Sequence, residues 1–336
     1  MAVGPPDRRR ANSRLDEDDV RVRAGRGTRP RSKQRPSHDE AVEGRVLTVD
    51  RGRYTVLIED RAVIAMRARE LGRKGIAVGD RVDVVGDLTG EPDALARVVR
   101  VGERTTVLRR TADDSDPLER VVVANADQLM IVSSLADPEP RFGFIDRCLV
   151  AALAAGMEPV LCLTKSDLAP PDAVLHRYEQ LDVPAVITHR GGSLADLRGR
   201  LAGQVSVLVG QSGVGKSTLI NALVPEAHRS VGIVSAVGKG RHTSTSVIAF
   251  PLPDDDGWVI DTPGLRSFGL AHVGADDLLW AFPDLEDGAN LCPPGCEHLF
   301  AADGCMLDGW VAAGHSTVDR LAAFRRLLAS RSGAAD

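Results

Sequence analysis

QVSVLVGQSGVGKSTLINALV, residues 204 to 224, joins an apolar run, a glycine-rich stretch and a segment of helical periodicity. In a strand-loop-helix setting, the glycines of GQSGVGKS let successive backbone N–H groups turn toward phosphate oxygens at a helix N-terminus. Gly210, Gln211, Ser212, Gly213, Val214 and Gly215, with Lys216, Ser217 and Thr218 opening the helix, form the expected cradle. Lys216 would reach the β and γ phosphates and Ser217 would ligate magnesium. Taken alone, the match is also that of a chance glycine-rich turn; the flanking strand and helix favour the phosphate reading.

Further apolar runs flank this core: VVVANADQLMIVSS, EPVLCLTKSD, VPAVITH and GWVIDTPG, with amphipathic FGFIDRCLVAALAAG, PDAVLHRYEQL and SLADLRGRLAG between them. Near-continuous apolar strands alternating with helices predict a parallel α/β sheet covered on both faces. Asp261, in DTPG, ends one such strand, where a carboxylate can hold magnesium through water and the Gly264 N–H can sense the γ phosphate. Thr164, Lys165, Ser166 and Asp167 follow another strand. The Asp167 carboxylate can accept two hydrogen bonds from guanine N1–H and its 2-amino group, donors that adenine lacks, while the Lys165 stem lies along the base. TKSD precedes the phosphate loop, whereas an ordinary small GTPase places its base-reading motif late. The order is that of a circularly permuted GTPase, a rearrangement tolerated because domain termini lie close together. The chain therefore leaves the nucleotide domain just after DTPG.

Beyond DTPG, Cys292, Cys296, His298 and Cys305 give C-x3-C-x-H-x6-C in a Pro- and Gly-rich loop. Three thiolates and an imidazole suit one tetrahedral, structural zinc per chain, with no open position for a catalytic water. An incidental cysteine cluster is the alternative. Cys148 and Cys162 fall on apolar faces and read as buried small hydrophobes.

Toward the N-terminus, EGRVLTVD, RYTVLIED, AVIAMRAR, DRVDVVG and LARVVRVG predict five short strands and a small barrel. An OB-like barrel is expected, although an SH3-like barrel or a half-sandwich gives the same pattern. Tyr54 is its only aromatic residue, so contact with RNA would run through arginines to phosphate. Residues 1–37 hold 11 basic and 5 acidic side chains and almost no large apolar ones, which reads as a disordered basic arm. The expected divisions are the arm at 1–37, the barrel at 38–110, the GTPase domain at 111–272 and an α-rich zinc module at 273–336.

The 336 residues carry 42 Lys+Arg against 47 Asp+Glu, a net charge of −5. That sum hides a basic front and an acidic back, a pattern that fits a polyanion partner as well as it fits plain solvated charge. No apolar stretch reaches the ~18 residues of a membrane span, and the Arg-rich start offers no signal peptide, so a cytoplasmic protein is expected, without a membrane partner. Only five of the basic residues are lysines, and Lys165, Lys216 and Lys239 stand in nucleotide-associated segments.

Over about residues 41 to 330 the chain resembles the ribosome-small-subunit-dependent GTPases, the RsgA family. The resemblance rests on GQSGVGKSTLINAL, the switch segment GKGRHTSTS (Gly238 to Ser246), DTPG followed by Leu265 and Phe268, the IDRCLVAA helix and the Cys-Cys-His-Cys order. It implies GTP hydrolysis stimulated by the small ribosomal subunit in late maturation, with the barrel on ribosomal RNA; GTP or GDP with magnesium as ligand and a monomeric state are expected beside it. A binding switch with incidental turnover, a factor for the large subunit, and an unrelated phosphate-loop ATPase or kinase are the competing readings; TKSD argues against the last. The family's usual Asn is Thr164 here, and Ser244 stands at the middle of the family's switch threonines, leaving Thr243, Ser244 and Thr245 as alternative magnesium ligands. Leu265 stands where many GTPases orient the attacking water with glutamine, which predicts slow intrinsic turnover. His242 is expected to approach the γ phosphate only when the ribosome docks.

Overall fold

The computed structural model describes residues 38–331 apart from 73–74, 92–93, 111–119, 226–245, 254–255, 264–267, 269, 271–272, 301 and 303. The N-terminal arm, His242, Thr243, Ser244, Thr245, Gly264 and Leu265 lie outside the described residues.

Alternating sequence produces the short strands β1 (Val42–Asp50), β2 (Arg53–Ile58), β3 (Arg61–Arg67), β4 (Arg81–Gly86) and β5 (Ala96–Val101). They pair in the order β1-β2-β3-β5-β4 and close through β1 and β4, with β3 and β5 parallel. Closure leaves no free sheet edge, and the five-stranded arrangement is of the OB type rather than SH3-like or a half-sandwich. Val46, Val56, Val63, Val84 and Val98 fill the interior. Tyr54 joins them at 6% exposure, so the barrel's aromatic ring is used in its core.

A bulge between Val46 and Thr48 re-aims β1. While Val46 packs inside the barrel, Leu47 packs outside it with Val78, Leu108 and Val123. Those residues belong to the loop before β4 and to the hairpin β6 (Val107–Arg110) and β7 (Arg120–Ala124). The Ala124 N–H donates to the Val78 carbonyl at 2.9 Å, and the Asn125 amide donates to the Gly79 carbonyl at 3.2 Å. Asp80, fully buried, accepts both arms of Arg104 at 2.7 Å. Gly79 has φ +88°, and a Cβ there would sit 2.1 Å from the Ala124 carbonyl oxygen. Gly79→Ala is accordingly expected to destabilise the chain by about 2–4 kcal/mol, read as a lower calorimetric unfolding temperature.

The larger sheet contains β8 (Gln128–Ser134), β9 (Glu158–Thr164), β10 (Ala185–Ile187), β11 (Gln204–Val209), β12 (Ile248–Pro251) and β13 (Gly257–Asp261). Its order is β10-β9-β8-β11-β13-β12, parallel except for β12, which runs antiparallel to β13 and also meets β1 at Thr48↔Ile248. The expected all-parallel sheet thus has one antiparallel edge strand, too short to stand out as an apolar run. VVVANADQLMIVSS is likewise two strands, broken at Asn125, whose φ is +58°. Its side-chain oxygen accepts the Thr105 N–H at 3.0 Å.

On one face α1 (Phe142–Ala154) packs into a core shared with the C-terminal region. On the other, α3 (Ala195–Leu201) and α4 (Lys216–Leu223) close a second core. After β13 come α5 (Asp276–Leu279), α6 (Pro283–Ala289), α7 (Leu307–Ala312) and α8 (Val318–Ser330); α5 stops at Leu279, and Pro283 opens α6 at its first position. Arg320 of α8 bonds Asp284 at 2.9 Å and Asp182 at 3.0 Å, and stacks over Phe282. Asp182 follows α2 (Asp172–Tyr178), so α8 is stapled to the nucleotide-domain side of the molecule. Asp146 on α1 is buried between Arg177 (3.4 Å) and Arg326 (3.5 Å). Burial raises its carboxyl pKa, against the pull of those two guanidinium groups. Among the described residues no helix is long and apolar enough to cross a membrane.

Candidate functional site

In a parallel sheet all strands end at one edge, and ligands sit where the strand order reverses direction. Here β8 leads outward to β9 and β10, whereas β11 leads the other way to β13. The reversal lies between β8 and β11. The C-terminal ends of these strands bring the segments after Ser134, Thr164, Ile187, Val209 and Asp261 to a common edge.

Gly210 to Gly215 links β11 to α4. Gly213 and Gly215 take φ +84° and +97°, left-handed conformations that glycine adopts without strain. A Cβ on Gly210 would lie 2.6 Å from the Val132 carbonyl oxygen, so the loop must pass β8 at backbone distance. Ser217 and Thr218 are exposed in the first turn of α4, where the helix dipole favours an anion. Lys216 pairs with Asp261. Both are largely enclosed, with side-chain exposures of 10% and 22%.

The TKSD segment, Thr164 to Asp167, is tied to this loop. Thr164 donates its hydroxyl proton to the Val214 carbonyl at 2.6 Å, so threonine supplies a direct link between the two motifs. Lys165, at φ +60°, donates through Nζ to the Asp137 carbonyl. Asp167 is exposed. The Ser166 N–H bonds the Thr188 carbonyl at 3.2 Å, which brings Thr188-His189-Arg190-Gly191-Gly192 beside TKSD. That loop has no recognisable motif, and its place follows from the parallel pairing of β10 with β9. The segment Ser134 to Pro138 was not singled out from sequence. Ser134 donates to the Pro138 carbonyl at 2.6 Å, and Pro138 Cδ would lie 3.6 Å from a Cβ on Gly213. Its signal is positional: an Asp-Pro turn directly after a buried strand at the sheet's ligand-binding edge.

A second constellation lies in the C-terminal region. Ligand atoms of Cys292, Cys296, His298 and Cys305 all lie within 4.8 Å of one another, a donor set that can hold a metal ion. Positive φ at Gly295, His298 and Gly304 folds the connecting loop back on itself. The Met306 N–H donates to the Cys292 sulfur at 3.1 Å. Arg325 on α8 donates to the His298 carbonyl at 3.0 Å and grips Asp308 with both arms at 2.8 and 2.7 Å. Burial lowers the His298 pKa, favouring the neutral imidazole that a metal needs. Burial also raises the Cys292 thiol, and the neighbouring Cys305 and Cys296 push it the same way. Cys148 and Cys162 are fully buried, and burial pushes the Cys162 thiol to about 12; neither is placed for reactivity.

Three comparisons bear on this architecture. A family model described as RsgA GTPase matches residues 101–271. A protein of Ectopseudomonas mendocina named small ribosomal subunit biogenesis GTPase RsgA is 42% identical over 219 residues, 62% of this chain and 63% of its own. A protein of the same name from Pseudomonas aeruginosa is 42% identical over 227 residues, covering 65% and 66% of the two chains. Another from Pseudomonas syringae pv. tomato is 41% identical over 237 residues, 68% of each chain. The chain thus spans about two thirds of the length of the curated relatives it matches. Among solved structures, YloQ, described as a circularly permuted GTPase, superposes with a TM-score of 0.61 at 25% identity, covering 89% of this chain and 98% of that one. YjeQ from Thermotoga maritima gives 0.61 and 25%, covering 87% and 99%.

Proposed function

The chain belongs to the RsgA GTPase family, and from that premise we propose that it hydrolyses GTP on the small ribosomal subunit during late maturation of that particle. The observation that carries this reading is the crevice, where a base-reading loop and a phosphate loop met in permuted order are joined through Thr164 and Val214. Gly210 to Ser217 and Thr218 would cradle the phosphates, and Thr164 to Asp167 would read the guanine. Magnesium fits the oxygen donors present: it would be held by the Ser217 hydroxyl and by Asp261 through water, neutralising phosphate charge. Gly264 would sense the γ phosphate, Thr243, Ser244 or Thr245 would complete the magnesium shell, and His242 would act as the group brought in by docking.

The three thiols and one imidazole suit zinc, in a structural role, one ion per chain. A thiol-rich metal set and free cysteines fit the reducing cytoplasm. The barrel would meet ribosomal RNA through arginines. Exposed Arg53 and Arg97 flank Met66 in register across its outer surface, and Tyr54 is withheld in the core. A single copy carries every proposed site residue, which fits a monomer.

GTP turnover measured alone, with purified small subunits and with large subunits tests the reading. Slow basal turnover that rises on the order of 10²-fold or more with small subunits is expected. No rise would favour a binding switch, and a rise with large subunits would reassign the partner.

A further inference from the structure

The C-terminal region from Val273 to Arg331 divides its charge unevenly between inside and outside. None of its described arginines is exposed, and each is spent on an internal partner. Arg320 bonds Asp284 at 2.9 Å and Arg325 bonds Asp308 at 2.7 Å, their side chains 14% and 4% exposed. Arg326 sits 3.5 Å from the buried Asp146, and Arg331 donates to the Leu328 carbonyl at 2.9 Å and to the Val273 carbonyl. The carboxylates stay outside: Asp276, Asp277, Glu286, Asp287, Glu297 and Asp319 are exposed. With its cations turned to internal carbonyls and ion pairs, the region keeps an anionic exterior.

Large apolar side chains stand on the same exterior, around the Cys/His cluster. Phe300 is 71% exposed, and Leu291 and Met306 are exposed with it. The Met306 N–H bonds the Cys292 sulfur at 3.1 Å, which brings the Leu291 and Met306 ends of the loop together. Phe300 lies against the Arg325 guanidinium, 4.9 Å from the ring centroid, and Arg325 also donates to the Cys305 sulfur at 3.9 Å. Because Arg325 grips Asp308 with both arms, the exposed ring rests on a fixed support. Asp287, a turn before Leu291, and Glu297 rim the group. Apolar side chains gathered at a polar rim mark a contact surface.

Charge decides what can cover it. RNA phosphates would meet carboxylates with no exposed cation among the described residues of this region, which is repulsive. A second copy of the chain would set the same anionic rim against itself. The chain's own residues 1–37 hold 11 basic and 5 acidic side chains but almost no large apolar ones to cover Phe300. A basic protein surface with an apolar protrusion suits both the ring and its rim. We propose that the face formed by Leu291, Phe300 and Met306 docks a basic protein of the small ribosomal subunit, so that the barrel meets RNA while this end meets protein. The identity of the particle rests on the GTPase reading above; the chemistry of the face does not.

Three purified probes separate the occupants: intact small subunits, the RNA extracted from them, and the mixed proteins extracted from them. The full chain, loaded with a non-hydrolysable GTP analogue, is used throughout. Phe300→Ser and Leu291→Ser should bind subunits about tenfold more weakly than the wild type and lose retention on the extracted proteins. Their affinity for the extracted RNA, metal content, unfolding temperature and basal GTP turnover should match the wild type. Phe300→Leu, which keeps the apolar contact without the aromatic ring, should recover most of the subunit affinity. Asp287→Lys should slow association with subunits and flatten its salt dependence.

Unchanged subunit affinity in both serine variants overturns the proposal. So does a parallel fall in RNA affinity that Phe300→Leu fails to restore, the mark of a base stacked on the ring. A wild-type dimer that Phe300→Ser dissolves would assign the face to a second copy, and tighter subunit binding by Phe300→Ser would assign it to residues 1–37; either result removes the subunit protein from it. Should the serine variants lose metal, Asp287→Lys decides alone, and association unchanged in rate and salt dependence overturns the proposal. A wild type that binds no small subunits sinks the small-subunit reading. The extracted proteins still decide the face in that case: retention absent in the wild type, or kept in Phe300→Ser, overturns it.

Discussion

Lys216→Ala is expected to lower GTP turnover by ~10²-fold or more and to weaken nucleotide binding at the same time. Two effects combine. The ammonium that would reach the β and γ phosphates is lost, and its present partner, Asp261, is left as an uncompensated carboxylate beside an anionic ligand. In an enclosed setting such a charge is poorly screened by solvent. The double substitution Lys216→Ala/Asp261→Asn separates the two effects. It should recover about tenfold in nucleotide affinity over the single variant, since the repulsion is gone, without recovering turnover, since Asp261 is also assigned to magnesium. Binding is read with a fluorescent nucleotide and turnover by phosphate release. A single variant retaining more than a tenth of wild-type turnover would remove Lys216 from the catalytic machinery.

Metal removal is expected to have the second large effect. Cys296→Ser, or prolonged chelation, should release the bound ion and lower the unfolding temperature by about 10 °C. Of the described apolar residues in and beside the loop from Cys292 to Cys305, Leu291, Phe300 and Met306 are 60%, 71% and 45% exposed, and Leu299 and Cys305 pack against the core while only partly buried. The loop's shape therefore depends on the ligand set and on Arg325. Nucleotide affinity should stay near wild type, because the crevice is built by other strands. The pH dependence has a definite sign. Burial, reinforced by Cys305 and Cys296, holds the Cys292 thiol above its usual value, so without metal Cys292 stays a neutral thiol at neutral pH. Metal binding must expel that proton, and affinity rises with pH and falls on acidification. Elemental analysis should find about one zinc per chain, and chelator competition at several pH values checks the sign. Nucleotide affinity collapsing with the metal would refute the separation of the two sites.

Much of this was legible locally. GQSGVGKS, DTPG and TKSD carry their chemistry within a few residues, because a phosphate loop needs only glycines, a strand before it and a helix after it. The Cys/His cluster that can hold a metal ion was legible for the same reason, its spacing being short enough for one loop. The neighbourhood of Thr164 was not legible. Its departure from the family's asparagine says nothing about Val214, fifty residues away in sequence, and only the strand pairing brings the two together. Arg147 was visible only as part of a helix; that it gathers the carbonyls of Phe268, Ser330 and Arg331 depends on segments more than a hundred residues distant. Asn125 read as part of one long apolar run, and the loop before β4 is what turns it into a break, through Gly79.

The amino-acid order alone determined the three-part architecture, the permuted motif order and the identity of the chemical groups, because each follows from periodicity or from short-range spacing. Tertiary structure decided how those parts share one frame. It set the bulge that sends Leu47 out of the barrel, the antiparallel β12 that joins barrel to sheet, and the arginines that bind α8 to α1 and to the carbonyl of Val273. These depend on contacts between residues distant in sequence, whose partners are chosen by burial and by the need to satisfy main-chain carbonyls, and neither of those is written in any local run of the chain.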